Sequence, residues 1–214
     1  MKEIETIIFD MDGTLVDSRQ DIVNAVNYTL GRLGCAQKPF DEIVSYIGGG
    51  VRDLMEQSLG AGRDEEIKKA VGIFTDYYKV HSADTTTLYP GVRQTLEHFQ
   101  AKKMLIVTNR TEAMAHVTLK ALRIDHFFKG VVGGEDGVCL KPSACPLNKA
   151  FGTYAVSKEK SIIVGDMDVD VYAGKEAGIL TCGVNYGIGK KDALVRAQPD
   201  YLIDDIAELK KLFR

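Results

Sequence analysis

Short apolar runs recur along the chain, and most of them stop at a polar or acidic residue. They are Ile7-Ile8-Phe9, Met104-Leu105-Ile106-Val107, Val131-Val132, Ser161-Ile162-Ile163-Val164, residues 179–184 and Tyr201-Leu202-Ile203. Their length and β-branched content predict strands buried on both faces, as in a parallel sheet. Between them, apolar residues repeat at helical spacing. Val92, Leu96 and Phe99 form one stripe, and Met114, Val117, Ala121 and Leu122 form another. Pro146 suits the first turn of a further helix, and Ala173 and Ala177 run up to a stop at Gly178. Ile206, Leu209 and Leu212 predict a short last helix. Strands alternating with helices in this way predict an α/β fold, a Rossmann-like parallel sheet with helices on both faces.

One long stretch departs from that alternation. Ile22, Val26, Leu30 and Leu33 predict a helix, with Asp17 or Ser18 as N-cap and Gly34 as stop. Ile43, Val44 and Ile47 follow Pro39 in a shorter one. After Gly48-Gly49-Gly50, the residues Val51, Leu54, Met55 and Leu59 resume a helical stripe. Asp64 is placed to cap a fourth helix carrying Ile67, Ala70, Val71, Phe74 and Tyr78. Four helices in succession predict an inserted α-helical domain at residues 16–82, with residues 1–15 and 83–214 forming the α/β core.

Composition adds exclusions. The 214 residues are 45% apolar and 27% charged, an ordinary globular balance. A net charge of −3 gives no reason to expect nucleic acid or an anionic membrane as partner. No apolar run is long enough for a transmembrane helix, and the first residues lack a signal-peptide pattern, so a cytoplasmic protein is expected. Cys35, Cys139, Cys145 and Cys182 show no Cys-x-x-Cys spacing and no zinc spacing with a histidine. Four free thiols, with no disulfide framework, are the expectation.

The chemistry lies at the ends of the strands. Asp10 and Asp12 follow the first one; in extended backbone, residues two apart point to the same side. Two converging carboxylates need a cation, a shared proton or solvent. Mg²⁺ fits, because it takes hard oxygen ligands and is commonly bound through one or two carboxylates. A solvated Asp-Gly turn is the plain alternative. Thr108-Asn109-Arg110 follows the second strand and precedes a helix, an arrangement suited to cradling phosphate or merely to capping the helix at Thr111. Lys141 precedes Pro142 and the helix entered at Pro146. Asp166, Asp168 and Asp170 follow the fourth apolar run. Asp168 reads as a helix cap, while Asp166 and Asp170 can share a face. Arg52, after the three glycines, is either a solvated charge or an anion contact carried by a closing loop.

Asp10-Met11-Asp12-Gly13-Thr14-Leu15-Val16-Asp17-Ser18, Thr108-Asn109, Lys141-Pro142 and Gly165-Asp166 through Asp170 resemble, in this order, the four motifs of the haloacid dehalogenase-like hydrolases. The nearest pattern is the phosphoglycolate phosphatase-like group, in which a helical cap sits between the first and second motifs. Met167 stands where that family usually has Ser or Thr. The resemblance implies Asp10 as nucleophile and Asp12 as acid and base. It assigns Thr108, Asn109 and Lys141 to the phosphoryl group. It gives Mg²⁺ to the Asp10 carboxylate, the Asp12 backbone carbonyl and Asp166, with Asp170 supporting and Arg52 as a cap contact to substrate.

The implied activity is hydrolysis of a small phosphorylated metabolite through an aspartyl-phosphate, by a monomer or homodimer. A sugar-phosphate mutase or a pyrophosphatase would use the same core residues. A phospho-acceptor signalling domain would also carry an aspartate cluster with Thr and Lys, but would need neither the helical insert nor Asp12.

Overall fold

The computed structural model describes residues 1–134 and 138–214. The sequence Gly133-Gly134-Glu135-Asp136-Gly137 predicts a loop after Val131-Val132, and Glu135, Asp136 and Gly137 of it lie outside the described residues. Among the described residues, six parallel strands form one sheet. They are β1 (Thr6–Phe9), β4 (Lys103–Val107), β5 (Gly130–Val132), β6 (Ser161–Gly165), β7 (Leu180–Val184) and β8 (Tyr201–Ile203), in the order β5-β4-β1-β6-β7-β8. The first strand is central. The chain builds outward on one side of it through β4 and β5, then crosses to build the other side. Such a reversal leaves a crevice at the carboxyl ends of the middle strands. Asp10, Thr108 and Asp166 are the residues that directly follow β1, β4 and β6.

Both faces of the sheet are covered, which explains why the strands read as continuous apolar runs. Ile7 and Phe9 pack into one cluster with Leu96, Phe99, Ile106, Leu119 and Leu209. Ile8, one residue out of phase, packs on the other face with Leu105, Leu147, Phe151, Ile163 and Ala173. The helices on the first face are α5 (Val92–His98), α6 (Glu112–Ala121) and α10 (Leu209–Leu212). Those on the second are α7 (Cys145–Tyr154) and α8 (Asp168–Ala177).

Between β1 and α5 the chain leaves and returns along a two-stranded antiparallel ribbon, β2 (Val16–Asp17) with β3 (Thr87–Leu88). The excursion consists of α1 (Arg19–Arg32), α2 (Phe40–Val44), α3 (Gly50–Leu59) and α4 (Asp64–His81). Their predicted stripes meet in a separate core of Ile22, Val26, Leu30, Met55, Ile67 and Phe74, which Met114 of α6 joins from below. Asp21, buried near the start of α1, accepts hydrogen bonds from the backbone and hydroxyl groups of both Thr85 and Thr86 at 2.6–3.1 Å. The outgoing helix is thereby fastened to the returning chain.

Several local expectations are corrected. Ser18 holds the N-cap position of α1 but makes no side-chain cap bond; its hydroxyl goes to Asp12 instead. Arg63, not Asp64, precedes α4, and Asp64 pairs with Arg52. Asp168 is the first residue of α8, and the backbone N–H of Met167 is received by Asp170. Cys139 and Cys145 are joined in a disulfide, while Cys35 and Cys182 are free. The turn that leads into α7 brings the two Cα atoms to 5.4 Å, within disulfide reach. A six-residue separation in sequence carries no sign of that turn.

Candidate active site

Gly13 sets up the site. Its φ of +84° lets the chain turn back directly after Asp12, and a Cβ there would overlap the Asp166 carboxylate. The turn is closed by Gly13 N–H donating to the Val16 carbonyl at 2.9 Å. Tyr186 pins it from the side, its hydroxyl donating to the Thr14 carbonyl at 2.7 Å. In this way Asp10 stays at the end of β1 while Asp12 is held two residues on, and both line one cavity of about 70 Å³. Thr108, Asn109, Arg110 and Lys141 line the same cavity.

Lys141 is almost fully buried, and its Nζ donates to Asp10 Oδ1 and Asp170 Oδ1, each at 2.6 Å. Burial works against its ammonium, but the two carboxylates outweigh burial and hold the pKa above its ordinary value. Asn109 fixes the lysine's own backbone: its Oδ1 accepts from Lys141 N–H at 2.9 Å and its Nδ2 donates to the Lys141 carbonyl at 2.9 Å. The same Nδ2 donates to the Gly48 carbonyl at 2.8 Å. The Asn109 side chain is therefore committed to bracing Lys141 and to tying the triglycine segment down. Thr108 Oγ1 accepts from Arg110 N–H at 3.2 Å and keeps a hydroxyl hydrogen to donate.

Asp166 Oδ2 accepts from the backbone N–H groups of Ile188 and Gly189 at 2.7 and 2.8 Å, and Oδ1 accepts from Thr14 Oγ1 at 3.0 Å. Carboxylate oxygens of Asp10, Asp166 and Asp170 lie within 4.8 Å of one another, all buried. Burial, reinforced by Asp170 and Asp166, pushes Asp10 up to about 8 despite Lys141. Burial and then Asp170 push Asp166 up to about 7 despite its three hydrogen bonds. One ammonium against three carboxylates leaves the cluster short of positive charge. The donor set is all hard oxygen, so the residues fit a divalent cation of the Mg²⁺ type.

Two predicted or neglected residues fall differently from expectation. Arg52 does not line the cavity over Asp10; its guanidinium pairs with Asp64 at 2.8 Å on the surface and faces a neighbouring groove. The triglycine segment does reach the site, but through the Gly48 carbonyl rather than through an arginine. Arg110, which sequence reasoning passed over, is buried in the site. Its Nε donates to Asp12 Oδ2 at 2.9 Å and its Nη2 to Asp12 Oδ1. The only sign of it in the sequence was its place directly after Thr108-Asn109.

The family model for haloacid dehalogenase-like hydrolases matches residues 7–184. The chain belongs to that family. It is 35% identical to a phosphoglycolate phosphatase of Aquifex aeolicus over 98% of this chain and 96% of the relative. It is 31% identical to a phosphoglycolate phosphatase of Pasteurella multocida, covering 98% of each. A haloacid dehalogenase-like hydrolase structure from Streptococcus pneumoniae superimposes with a TM-score of 0.88 at 30% identity, covering 99% of both chains. Membership of the phosphoglycolate phosphatase-like group makes the chain a phosphatase, as the four motifs implied. No helix among the described residues is long and apolar enough to cross a membrane.

Proposed function

We propose that this phosphatase hydrolyses a small phosphate monoester, phosphoglycolate-like, through an aspartyl-phosphate on Asp10, with Mg²⁺ as cofactor. The observation that carries the reading is the joint placement of Asp10, Asp12, Thr108 and Lys141 around one small cavity at the switch point of the sheet. Residues 16–82 act as the cap over a core of residues 1–15 and 83–214. Asp10, Asp166 and the Asp12 backbone carbonyl would hold the metal, with Asp170 keeping Lys141 in place. Bound there, the cation supplies charge that lets an anionic nucleophile approach an anionic phosphate.

Asp10 attacks phosphorus in line; the bond to the leaving oxygen breaks as Asp12 delivers a proton to that oxygen. Water then attacks the aspartyl-phosphate at phosphorus, Asp12 takes the water's proton, and the Asp10 carboxylate and inorganic phosphate are released. Lys141 and the Thr108 hydroxyl stabilise the charge on the transferring phosphoryl oxygens. Asn109 contributes by fixing the Lys141 backbone. The low volume of the cavity favours a small leaving alcohol.

The test is phosphate release from a panel comprising 2-phosphoglycolate, pyrophosphate and hexose phosphates, with Mg²⁺ and with EDTA. The expected result is metal-dependent turnover of a small monoester, lowered at least ~1000-fold in Asp10→Asn. Turnover that survives Asp10→Asn overturns the nucleophile, and a preference for pyrophosphate overturns the monoester.

A further inference from the structure

Arg110 is held from behind by bonds that do not involve Asp12. Its Nη1 donates to Thr118 Oγ1 of α6 at 2.7 Å, and its Nη2 donates to Tyr78 Oη of α4 at 2.6 Å. The guanidinium carbon also lies 4.9 Å from the Tyr78 ring centroid. One contact comes from the core and one from the helical insert, so the fork is fixed by both. Toward the cavity it presents Nε and Nη2 side by side, the spacing that receives a planar carboxylate in two bonds. Asp12 occupies that fork here.

Apart from the acids and cations at the phosphoryl end, the cavity is lined mostly by apolar side chains, with Tyr78 and the backbone of Gly48 and Gly50 beside them. Its apolar walls include Val51, Leu54, Phe74, Met114, Met167 and Val169. The cations lining it, among the described residues, are Lys141 and Arg110. Lys141 is committed to Asp10 and Asp170. A second anionic group on the substrate, set against apolar walls, would find its cationic partner in Arg110. Asp12 has a further partner if it gives up the fork, because its carboxylate also accepts from the Ser18 hydroxyl.

We infer that Arg110 is the specificity-determining residue: its fork exchanges the Asp12 carboxylate for a carboxylate on the leaving alcohol. Recognition of the correct substrate then frees Asp12 to take up a proton from solvent and turn it to the leaving oxygen, so binding and proton delivery are coupled through one guanidinium. A monoester without the second anionic group leaves Asp12 clamped. The inference rests on the monoester phosphatase reading and adds to it the residue that discriminates among such esters.

The experiment compares 2-phosphoglycolate with ethyl phosphate, in which a methyl group replaces the carboxylate, in wild type, Arg110→Lys and Arg110→Gln. Wild type is expected to favour the carboxylated ester in kcat/KM by roughly 100-fold, the scale of a paired buried charge. Arg110→Gln should reduce that preference to within a few fold, mostly by losing the carboxylated ester. Arg110→Lys should recover part of it, keeping the charge without the fork. An equal fall for both esters in Arg110→Gln overturns the inference and leaves Arg110 acting on Asp12 alone. So does a wild type with no preference. A parallel calorimetric titration in Asp10→Asn and Asp10→Asn/Arg110→Gln reads the same preference as affinity. It therefore still decides the matter for Arg110 if wild type turns over neither ester, the result that would sink the phosphatase mechanism itself. Should Arg110→Gln not fold, Arg110→Lys alone decides by the same ratio.

Discussion

Lys141 places its ammonium 2.6 Å from Asp10 Oδ1 across 131 residues of sequence, at the point where the central strand leaves the sheet. The pair is buried, and Asp170 completes it from the other side at the same distance. The lysine has two tasks there. It offsets repulsion among three carboxylates in the resting protein, and it presents positive charge where a phosphoryl group would sit.

Replacing that lysine separates the two tasks. Lys141→Met leaves Asp10 and Asp170 without their cation in a buried setting, a change that costs about 3 kcal/mol or more. Denaturant unfolding with EDTA should show that loss. Saturating Mg²⁺ should restore part of the stability but not the turnover, because the metal cannot replace the contact on the phosphoryl oxygens. Full activity in the variant would remove Lys141 from the site's chemistry.

The raised carboxylates give the metal-free protein a definite pH dependence. Asp10 is pushed up to about 8 and Asp166 to about 7 from an ordinary 3.8. The native state therefore keeps protons that the unfolded chain releases above about pH 4. Stability from these groups is fully present below that pH and is lost as pH rises through 7 and 8. Thermal unfolding in EDTA should show a falling Tm across that window, with a shallower fall in Asp166→Asn. Mg²⁺ should raise Tm more at pH 8 than at pH 5. A Tm independent of pH in EDTA would mean that the cluster is already compensated.

Gly13 has no tolerated substitute. Gly13→Ala forces a side chain into a positive-φ turn and onto the Asp166 carboxylate. Displacing a metal-ligand candidate in this way should weaken Mg²⁺ binding by about 10- to 100-fold, measured by calorimetry, with a parallel fall in turnover. Gly152, on the exposed side of α7 with open space around its Cβ position, is the control: Gly152→Ala should leave both unchanged.

Asp21 should behave as a fastening of the cap rather than a participant in chemistry. Asp21→Asn removes a charge that receives bonds from Thr85 and Thr86 and turns an amide toward their N–H groups. A stability loss of about 2 kcal/mol is expected by denaturant titration. In protein that remains folded, the chemical step in single-turnover measurements should be preserved to within a few fold. A large loss of that step would place Asp21 in the site.

The order of the elements was legible from one sequence because burial on both faces makes each core strand a continuous apolar run. Ile7, Ile8 and Phe9 could not read otherwise, with Ile8 facing one cluster and its neighbours the other. The four helical stripes of the insert were equally plain, since Ile22, Met55 and Phe74 need a core of their own. Asp10, Thr108 and Asp166 were legible because each terminates an apolar run, and a parallel sheet brings such ends to one edge.

Tertiary structure decided what faces those residues. Arg110 directly follows Thr108-Asn109, yet only the packing of α4 and α6 turns its guanidinium onto Asp12 rather than into solvent. Arg52 looked better placed and proved to be a surface ion pair, because α3 starts at Gly50 and directs it toward Asp64. The Cys139–Cys145 bond likewise depends on a turn that local sequence does not encode. Hydrophobic period and strand ends are properties of the chain taken a few residues at a time, so the sequence by itself determined the sheet, the insert and the acidic edge. Side-chain pairing between elements 30 to 130 residues apart depends on the packed arrangement, and there alone was it settled which charges meet.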